Sequence, residues 1–478
     1  MNPSADSAAA APLLTDPAAA PRSGRLLSLD VFRGFTLAMM LIANNPGSWS
    51  NILPPFAHAP WHGCTFTDLI FPAFVFIMGV AMTFSFARRL AQGDDRGDLF
   101  VQVTWRAMML IFLGLMLHSF SYWLGYDTEK VPRAGVFGWA LAAMFVGSMA
   151  LTWVFDSAKK LARGDEARRK LLQIVCCVAL ALIFVLLFYG FGSWLGYNPD
   201  SSKKLRIPGV LQRLGVCYFF AATVLVLGFK ARGQAVIALA LLVGYHLIMK
   251  YVPVPGVGAG MLDSKGTNLA THVDDLIFGS HGWQYQKDVD KWYDPEGLLS
   301  TIPAVASALL GCITGYLVRN KETTGYEKVS KMMVWGLGLL IAGWLWAYSF
   351  PLNKGMWSPS FVLYTAGWSM LGLGATYWLT DIKGIKWWTF PFIVLGTNAI
   401  FTFFSVGIAS RLSTYFKVGS GDDAVTIKTW VYDNLIGSWL EPLAGPAWGS
   451  LGYGVIYIGL WTFLVWALLY RNRIFIRV

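Results

Sequence analysis

The chain has 478 residues, of which 55% are hydrophobic and only 14% are charged, so it is poorer in charge than an average soluble domain. Its formal net charge of +11 does not indicate a nucleic-acid partner, because the basic residues lie in short connections between apolar runs. The five cysteines lack the spacing of a zinc site or a disulfide framework, so no bound metal is predicted. These properties argue against a soluble enzyme and favour a protein that is solvated by lipid.

Apolar runs of about 20 residues, the length that crosses a bilayer, recur along the chain. They predict an all-α polytopic integral membrane protein, built as a bundle of about 12 transmembrane helices. Residues 1–24 are rich in Ala, Pro and Ser and are predicted to be a disordered cytoplasmic tail, followed by one membrane domain over residues 25–478. The predicted spans are 31–47, 66–87, 101–124, 136–155, 171–194, 209–229, 233–252, 297–318, 332–350, 358–379, 389–410 and 449–470.

The distribution of Lys and Arg predicts the orientation of these spans. Basic clusters such as Arg88 and Arg89, the stretch from Lys159 to Lys170 and the C-terminal arginines all fall on one side of the membrane. An even number of spans then predicts that both termini are cytoplasmic. Two long connections, near 253–296 and 411–447, are predicted to be extracytoplasmic loops that cover a cavity.

The first span begins with a charged pair. Asp30 and Arg33 are three residues apart, so on a helix they share a face and can form an ion pair. One interpretation is a structural pair or a topology anchor. The other is that Arg33 contacts an anionic cofactor near the cytoplasm, because a guanidinium group suits phosphate.

The connection after the first span holds His58, which can act as a base or a nucleophile near neutral pH. Asp68 can orient the imidazole if the connection folds back, and Asn44 can donate a hydrogen bond to a developing oxyanion. A solvated or capping histidine is the alternative interpretation. His62 competes with His58 for the catalytic role.

Polar residues at membrane depth are further candidates, because their burial in lipid is costly. Gln212 and Arg213 lie one turn inside the sixth span, where Arg213 needs a partner. Asp294 and Glu296 precede the eighth span, where the helix dipole alone explains carboxylates. Asn398 lies in a polar notch of the eleventh span.

Four motifs follow one another in the chain: LDVFRG, FAHAPWHGCTFTDLIFPAFVFIMG, RIPGVLQRLG and YDPEGLLSTI. Together they resemble the transmembrane acetyltransferases related to heparan-α-glucosaminide N-acetyltransferase, in particular the bacterial NagX-like members. The resemblance implies that acetyl-CoA, as a cosubstrate, binds from the cytoplasm and that its acetyl group passes to a glucosamine-type amine at the opposite face. It also implies a multi-pass protein of the bacterial inner membrane. An apolar pair near 136–194 is additional to the family pattern.

The resemblance places the catalytic histidine at His58 and the functional asparagine at Asn44. The predicted roles are catalysis for His58, Asn44 and Asp68, acetyl-CoA binding for Arg33, Asn45, Gln212 and Arg213, and acceptor binding for His62, Asp294, Glu296 and Asn398. The sequence does not decide whether His58 acts as a base in a ternary complex or carries the acetyl group.

The predicted partners are the lipid bilayer and an amino sugar, either a small molecule or part of a glycan. The sequence does not decide whether the chain forms a homodimer. Two other functions are kept as alternatives: a transporter of amino sugars or N-acetylglucosamine, and an O-acetyltransferase of a cell-surface polysaccharide.

Overall fold

A computed structural model describes residues 26–124, 206–420 and 423–476 of the chain. These residues are mostly helical, and the backbone hydrogen bonds of each long apolar segment are therefore satisfied within the segment, as a lipid environment requires. The α-helices are α1 (Leu27–Asn44), α2 (Phe66–Ala91), α3 (Arg96–Leu124), α4 (Val210–Val226), α5 (Ala231–Tyr251), α6 (Leu269–Phe278), α7 (Thr301–Arg319), α8 (Gly325–Trp346), α9 (Pro359–Tyr377), α10 (Phe390–Thr397), α11 (Ala399–Tyr415), α12 (Ile427–Val431), α13 (Ser438–Ala444) and α14 (Pro446–Val465).

Seven helices of the described part are long and apolar enough to cross a bilayer, and α10 with α11 would make an eighth span. The prediction of an all-α membrane protein is confirmed. The predicted spans 136–155 and 171–194 and the predicted tail 1–24 lie outside the described residues. The total of about 12 helices and the cytoplasmic position of both termini therefore stay predictions.

The centre of the bundle is a contact between α2 and α7 in which backbone meets backbone. A Cβ atom added to Gly79 would lie 2.0 Å from the carbonyl oxygen of Ala308, and one added to Gly311 would lie 2.0 Å from that of Phe76. Association of helices in lipid depends on such close packing of small residues, because lipid tails compete with any apolar side chain. The two glycines therefore fix how closely α2 and α7 approach.

The predicted eleventh span, 389–410, is not one straight helix. Its two parts, α10 and α11, meet at an angle of 85° at Asn398, which is fully buried. The Asn398 Nδ2 donates to the Ile474 carbonyl oxygen at 3.3 Å, and its Oδ1 accepts from the Ile476 backbone N–H at 2.8 Å. The polar residue Asn398 within the apolar span thus lies at a break in the helix, and the backbone of Ile474 and Ile476 fills this break.

The two long connections contain secondary structure of their own. The first holds α6 and an antiparallel pair, β1 (Gln284–Gln286) and β2 (Lys291–Tyr293), with Gln284 opposite Tyr293. The second holds α12, α13 and the pair β3 (Lys417–Val418) and β4 (Val425–Thr426). The described residues of both connections therefore include backbone hydrogen bonds of secondary structure, although hydropathy predicted only loops.

Several connections meet at one end of the bundle, which we call the site end. Residues 57–65, 206–209, 262–300 and 350–358 contact one another there. The Gly63 N–H donates to the Leu352 carbonyl oxygen at 2.8 Å, and the Trp61 indole donates to the Leu262 carbonyl oxygen at 2.8 Å. Segments that are distant in sequence thus form one polar surface above α2 and α7.

Candidate active site

The central feature of the site end is a histidine–carboxylate pair, His58 and Asp68. Asp68 is the third residue of α2, and its Oδ2 accepts from the Thr65 N–H at 3.1 Å, the Thr65 hydroxyl at 3.0 Å and the Ala59 N–H at 3.0 Å. This is a capping box, in which the pattern Thr-x-x-Asp satisfies the free N–H groups at the helix start. The cap folds residues 57–65 back over α2 and brings His58 to Asp68.

The second oxygen of Asp68 orients the imidazole. Asp68 Oδ1 lies 2.7 Å from His58 Nδ1, and the Asp68 side chain is only 1% exposed while that of His58 is 52% exposed. Because a buried carboxylate accepts hydrogen bonds and cannot donate them, Nδ1 carries the hydrogen. The unprotonated Nε2 is then available on the exposed side of the ring. This arrangement can act as a general base or as a nucleophile.

Cys64 lies close to the pair but lacks the properties of a nucleophile. Burial, and then the charge of Asp68, raise the pKa of the Cys64 thiol to about 12. Its Sγ is directed at the Thr65 carbonyl oxygen, 3.6 Å away. Since the thiolate is the reactive form, Cys64 is inert near neutral pH, and His58 is the nucleophilic candidate of this segment.

Lys354 is a member of the site that the sequence did not predict. Its Nζ lies 3.2 Å from His58 Nδ1 and 3.3 Å from Asp68 Oδ1. It belongs to the short connection between α8 and α9. No signal in the sequence marked this lysine, because other lysines, such as Lys265 and Lys417, also lie in the connections predicted to be extracytoplasmic.

A second ionic cluster lies beside the first, and Arg206 is its centre. Arg206 Nε donates to Asp294 Oδ2 at 2.8 Å and Nη2 donates to Asp294 Oδ1 at 2.7 Å, while Nη2 also contacts Glu296. Burial opposes these charges, but Arg206 and then Arg213 outweigh it and hold the pKa of the Glu296 carboxyl below its ordinary value. Asp294 and Glu296, predicted to bind the acceptor, therefore already have a cationic partner within the chain.

Gln212 and Arg213, predicted to bind acetyl-CoA, lie directly beneath this cluster. Arg213 is 2% exposed and donates from Nη2 to the Gly297 carbonyl oxygen at 3.1 Å, with the Ser300 hydroxyl as a second contact. Its guanidinium carbon lies 5.0 Å from the centre of the Trp357 ring. Within the described residues, Arg213 Nε and Nη1 and Gln212 Oε1 are buried without a hydrogen-bond partner. These three atoms can pair with polar groups of a bound molecule.

The other predicted residues lie in different places. His62 borders the site end, where its Nε2 lies 3.0 Å from Oδ1 of the exposed Asp263. Asn44 is the exposed last residue of α1, whereas Asn45 is buried and donates to the Leu41 carbonyl oxygen at 3.0 Å. Arg33 pairs with Asp30 at 3.2 Å near the opposite end of α1. Asn398 is also remote from His58, because it lies at the break that the C-terminal segment fills.

Asp274, on α6, is a buried carboxyl that sequence reasoning missed. Its Oδ1 accepts from the Leu298 N–H at 2.7 Å, and its other oxygen lies against Gly297, where a side chain would clash. Burial, together with the charge of Asp294, raises the pKa of the Asp274 carboxyl from 3.8 to about 7. The signal in the sequence was weak, since Asp274 and Asp275 resemble any solvated pair.

We expect Asp274→Asn to remove a pH dependence of stability. Between pH 3.8 and about 7 the folded protein binds a proton at Asp274 that the unfolded chain does not, so stability falls as pH rises through this window. Wild type should lose about 2 kcal/mol relative to Asp274→Asn between about pH 5 and about pH 8. Melting temperatures in detergent at the two pH values measure this difference. Asp263→Asn, at an exposed carboxyl, is the matched control, and parallel profiles for all three proteins would contradict the assignment.

The fold and the site together define a class: a polytopic membrane protein with a carboxylate-oriented histidine at one end of its helices. Residues 25–131 match the family model for the catalytic region of heparan-alpha-glucosaminide N-acetyltransferase. The chain is 26% identical over 424 residues to the enzyme of that name from Homo sapiens, an alignment that covers 79% of this chain and 52% of the relative. It is 25% identical over 426 residues to the enzyme from Mus musculus, with 80% and 53% covered.

These matches confirm the resemblance that the four motifs carry. The chain is similar to heparan-alpha-glucosaminide N-acetyltransferases over about four fifths of its length, and the family model matches its N-terminal part. It spans about half the length of the curated relatives that it matches. The matched region includes both His58 and Asp68.

Proposed function

We propose that this protein is a membrane N-acetyltransferase, which moves an acetyl group from cytoplasmic acetyl-CoA to the amine of a glucosamine-type sugar at the opposite face. The observation that carries the proposal is the His58–Asp68 pair, with its 2.7 Å contact and its half-exposed imidazole. The names of the relatives supply the reaction type, N-acetylation of a glucosaminide. The pair supplies the group that this reaction needs, a base or nucleophile at a water-accessible end of a membrane bundle.

His58 can serve either of two routes. In a direct transfer, its Nε2 takes the proton from the sugar amine while the amine nitrogen attacks the thioester carbonyl and CoA leaves as the thiolate. In a two-step transfer, Nε2 itself attacks the carbonyl, CoA leaves, and the amine then displaces the imidazole. Asp68 holds Nδ1–H in both routes and stabilises the positive charge that develops on the ring. Asn44, exposed at the end of α1, is proposed to donate to the oxyanion.

The donor side of the proposal depends on polar atoms at membrane depth. Acetyl-CoA carries two amides and a thioester along its flexible arm, and these groups need hydrogen-bond partners inside a bundle. Arg213 and Gln212 offer buried atoms that have no hydrogen-bond partner among the described residues, and Trp357 links Arg213 to α2 through a ring contact with Phe71 at 5.2 Å. Arg33 is proposed to meet the phosphates near the cytoplasm.

The acceptor is proposed to bind where His62, Asp263 and the exposed Trp283 border the site end. A sugar ring presents an apolar face and several hydroxyl groups, so an aromatic ring beside polar side chains suits it. Free glucosamine and a glucosamine residue in a glycan both have this chemistry. A polysaccharide hydroxyl as the acceptor keeps the same histidine chemistry and changes only the attacking atom.

The test is transfer of labelled acetyl from acetyl-CoA to glucosamine by protein reconstituted in vesicles. Acetyl-CoA is supplied on one side and glucosamine on the other, and labelled N-acetylglucosamine is measured by mass spectrometry. The protein must be inserted in one orientation. We then expect product only when acetyl-CoA is on the cytoplasmic side of the protein and glucosamine is on the opposite side. Binding of CoA without product from glucosamine, but with product from a polysaccharide, would move the reaction to the O-acetyltransferase alternative.

One observation favours a transporter as the second candidate. The α10–α11 pair is a broken helix inside the bundle, and broken helices form substrate sites in many transporters. In the same vesicles, uptake of labelled glucosamine or N-acetylglucosamine without acetyl-CoA would support transport. Uptake without any acetyl transfer would overturn the enzyme proposal.

A further inference from the structure

Lys354 brings an ammonium group to the contact between His58 and Asp68. Its Nζ is almost equally far from His58 Nδ1, at 3.2 Å, and from Asp68 Oδ1, at 3.3 Å. The lysine is separated from the histidine by 296 positions in the sequence. No requirement of the α2 cap explains its presence, because the cap is complete with Thr65, Ala59 and Asp68.

The turn that carries Lys354 has a fixed and strained backbone. The Asn353 Oδ1 accepts from the Met356 N–H at 2.8 Å, and its Nδ2 donates to the Trp61 carbonyl oxygen at 2.9 Å. Trp357 is fully buried and has a φ of +50°, which is unfavourable for a bulky residue. Gly355 packs against the Tyr293 hydroxyl, which lies 2.1 Å from where a Cβ would stand. Strain of this kind persists only where the surroundings determine the conformation, and it is frequent at functional sites.

The three polar atoms can be bonded in only one consistent way. An ammonium group has donors and no acceptor, and a carboxylate has acceptors and no donor. If Nδ1 were unprotonated, its lone pair would face Asp68 Oδ1 at 2.7 Å, which is repulsive. Nδ1–H and Lys354 therefore both donate to Oδ1, and the 3.2 Å between Nζ and Nδ1 is a contact between two donors rather than a hydrogen bond. The lysine thus keeps this oxygen ionised and directed toward the imidazole.

We propose that Lys354 is a positioning residue for His58: through Asp68 it holds the imidazole in the tautomer whose Nε2 is free to react. This inference rests on the proposed acetyl transfer, in which Nε2 is the reacting atom. It assigns Lys354 no contact with either substrate. Its effect is on the rate of the chemical step and not on substrate binding.

A purely structural clamp is the competing explanation, and the structure separates it from positioning. The Gly63–Leu352 and Asn353–Trp61 hydrogen bonds join the same two segments without Lys354. Asp68 is buried, but without the ammonium it still accepts hydrogen bonds from Thr65, Ala59 and His58, so its carboxylate is not left without a partner. Removal of the ammonium should therefore leave the melting temperature within roughly 3 °C of wild type.

The test compares Lys354→Met, Lys354→Gln and Lys354→Arg with wild type in detergent. We expect kcat for acetyl transfer to glucosamine to fall roughly 30-fold in Lys354→Met and Lys354→Gln, with both KM values changed less than about threefold. Lys354→Arg, which keeps the charge, should recover to within about fivefold of wild type. Lys250→Met is the matched control, because Lys250 lies at the same end of the bundle and its ammonium donates to the Ser349 hydroxyl, at 3.4 Å, and not to His58 or Asp68.

A second readout does not depend on acetyl transfer. Diethyl pyrocarbonate modifies the unprotonated nitrogen of imidazole, and peptide mass spectrometry gives the rate of modification of His58. We expect this rate to fall at least about threefold in Lys354→Met, because a less firmly held ring spends less time in the tautomer whose Nε2 is free. Lys250→Met should react like wild type.

Three outcomes would overturn the inference. The first is a wild-type kcat in Lys354→Met and Lys354→Gln. The second is a change in the KM for glucosamine alone, which would make Lys354 a substrate contact. The third is a large fall in melting temperature in all three variants, which would make it a clamp. If wild type transfers no acetyl to glucosamine, the proposed reaction fails while the modification rates still decide whether Lys354 positions His58.

Discussion

Replacing His58 by alanine is expected to lower acetyl transfer to glucosamine about 1,000-fold. The variant removes the only imidazole that Asp68 orients in the described part of the chain, and both proposed routes use its Nε2. The fold should be retained, because the cap of α2 is made by Asp68 with Thr65 and Ala59 and because half of the His58 side chain is in solvent. The measurement is kcat/KM with labelled acetyl-CoA, together with CoA binding and melting temperature.

His62→Ala is the matched control for this loss. It lies four positions away and contacts the exposed Asp263, so its effect should be on KM for the acceptor and within about tenfold. A rapid-quench experiment without sugar separates the two routes, since acid-labile acetyl label on wild type but not on His58→Ala would establish the two-step transfer. Equal loss in the two histidine variants, or full activity of His58→Ala, would contradict the assignment of His58.

Replacing Arg206 by methionine is expected to lower the free energy of unfolding by about 3 kcal/mol. The substitution leaves Asp294 buried without the bidentate partner that it has at 2.7 and 2.8 Å, and leaves Glu296 without its nearest cation. A buried carboxylate without a partner is far more costly than the pair itself is favourable. Unfolding in mixed detergent micelles, followed by tryptophan fluorescence, measures the change.

A triple variant distinguishes loss of pairing from loss of packing. Arg206→Met combined with Asp294→Asn and Glu296→Gln removes the charges together, so most of the lost stability should return. Arg232→Met, at an exposed arginine, should change stability by less than about 0.5 kcal/mol. If the triple variant is as unstable as Arg206→Met alone, the arginine stabilises the fold through packing against Trp283 rather than through its charge.

The parts of the site that sequence analysis predicted are those set by local rules. His58 and Asp68 are ten residues apart, and the Thr65-to-Asp68 cap that joins them is readable in the sequence. The two side chains lie 2.7 Å apart for this reason, while their catalytic roles stay predictions. Spacing also sufficed for most spans, because bilayer thickness fixes the length of an apolar helix.

The contacts that sequence analysis missed join residues far apart in the chain. Arg206 and Asp294 are 88 positions apart; Arg206 had no assigned role, and Asp294 was interpreted alone, as a residue at a helix start. Lys354 had no assigned role. Hydropathy depends only on the composition of a segment. It therefore predicted a single, continuous helix for the eleventh span and could not show the 85° change of direction at Asn398. Pairing and direction depend on how helices pack, which composition does not encode.

The hydrogen bonds between Asn398 and the C-terminal segment have a practical consequence for handling the protein. The buried amide binds the backbone of Ile474 and Ile476, so residues 474–476 fill the break between α10 and α11. We therefore expect a purification tag or fluorescent reporter fused directly after this segment to weaken these two hydrogen bonds. A long flexible linker before the tag, or a fusion at the N-terminal side, should preserve them.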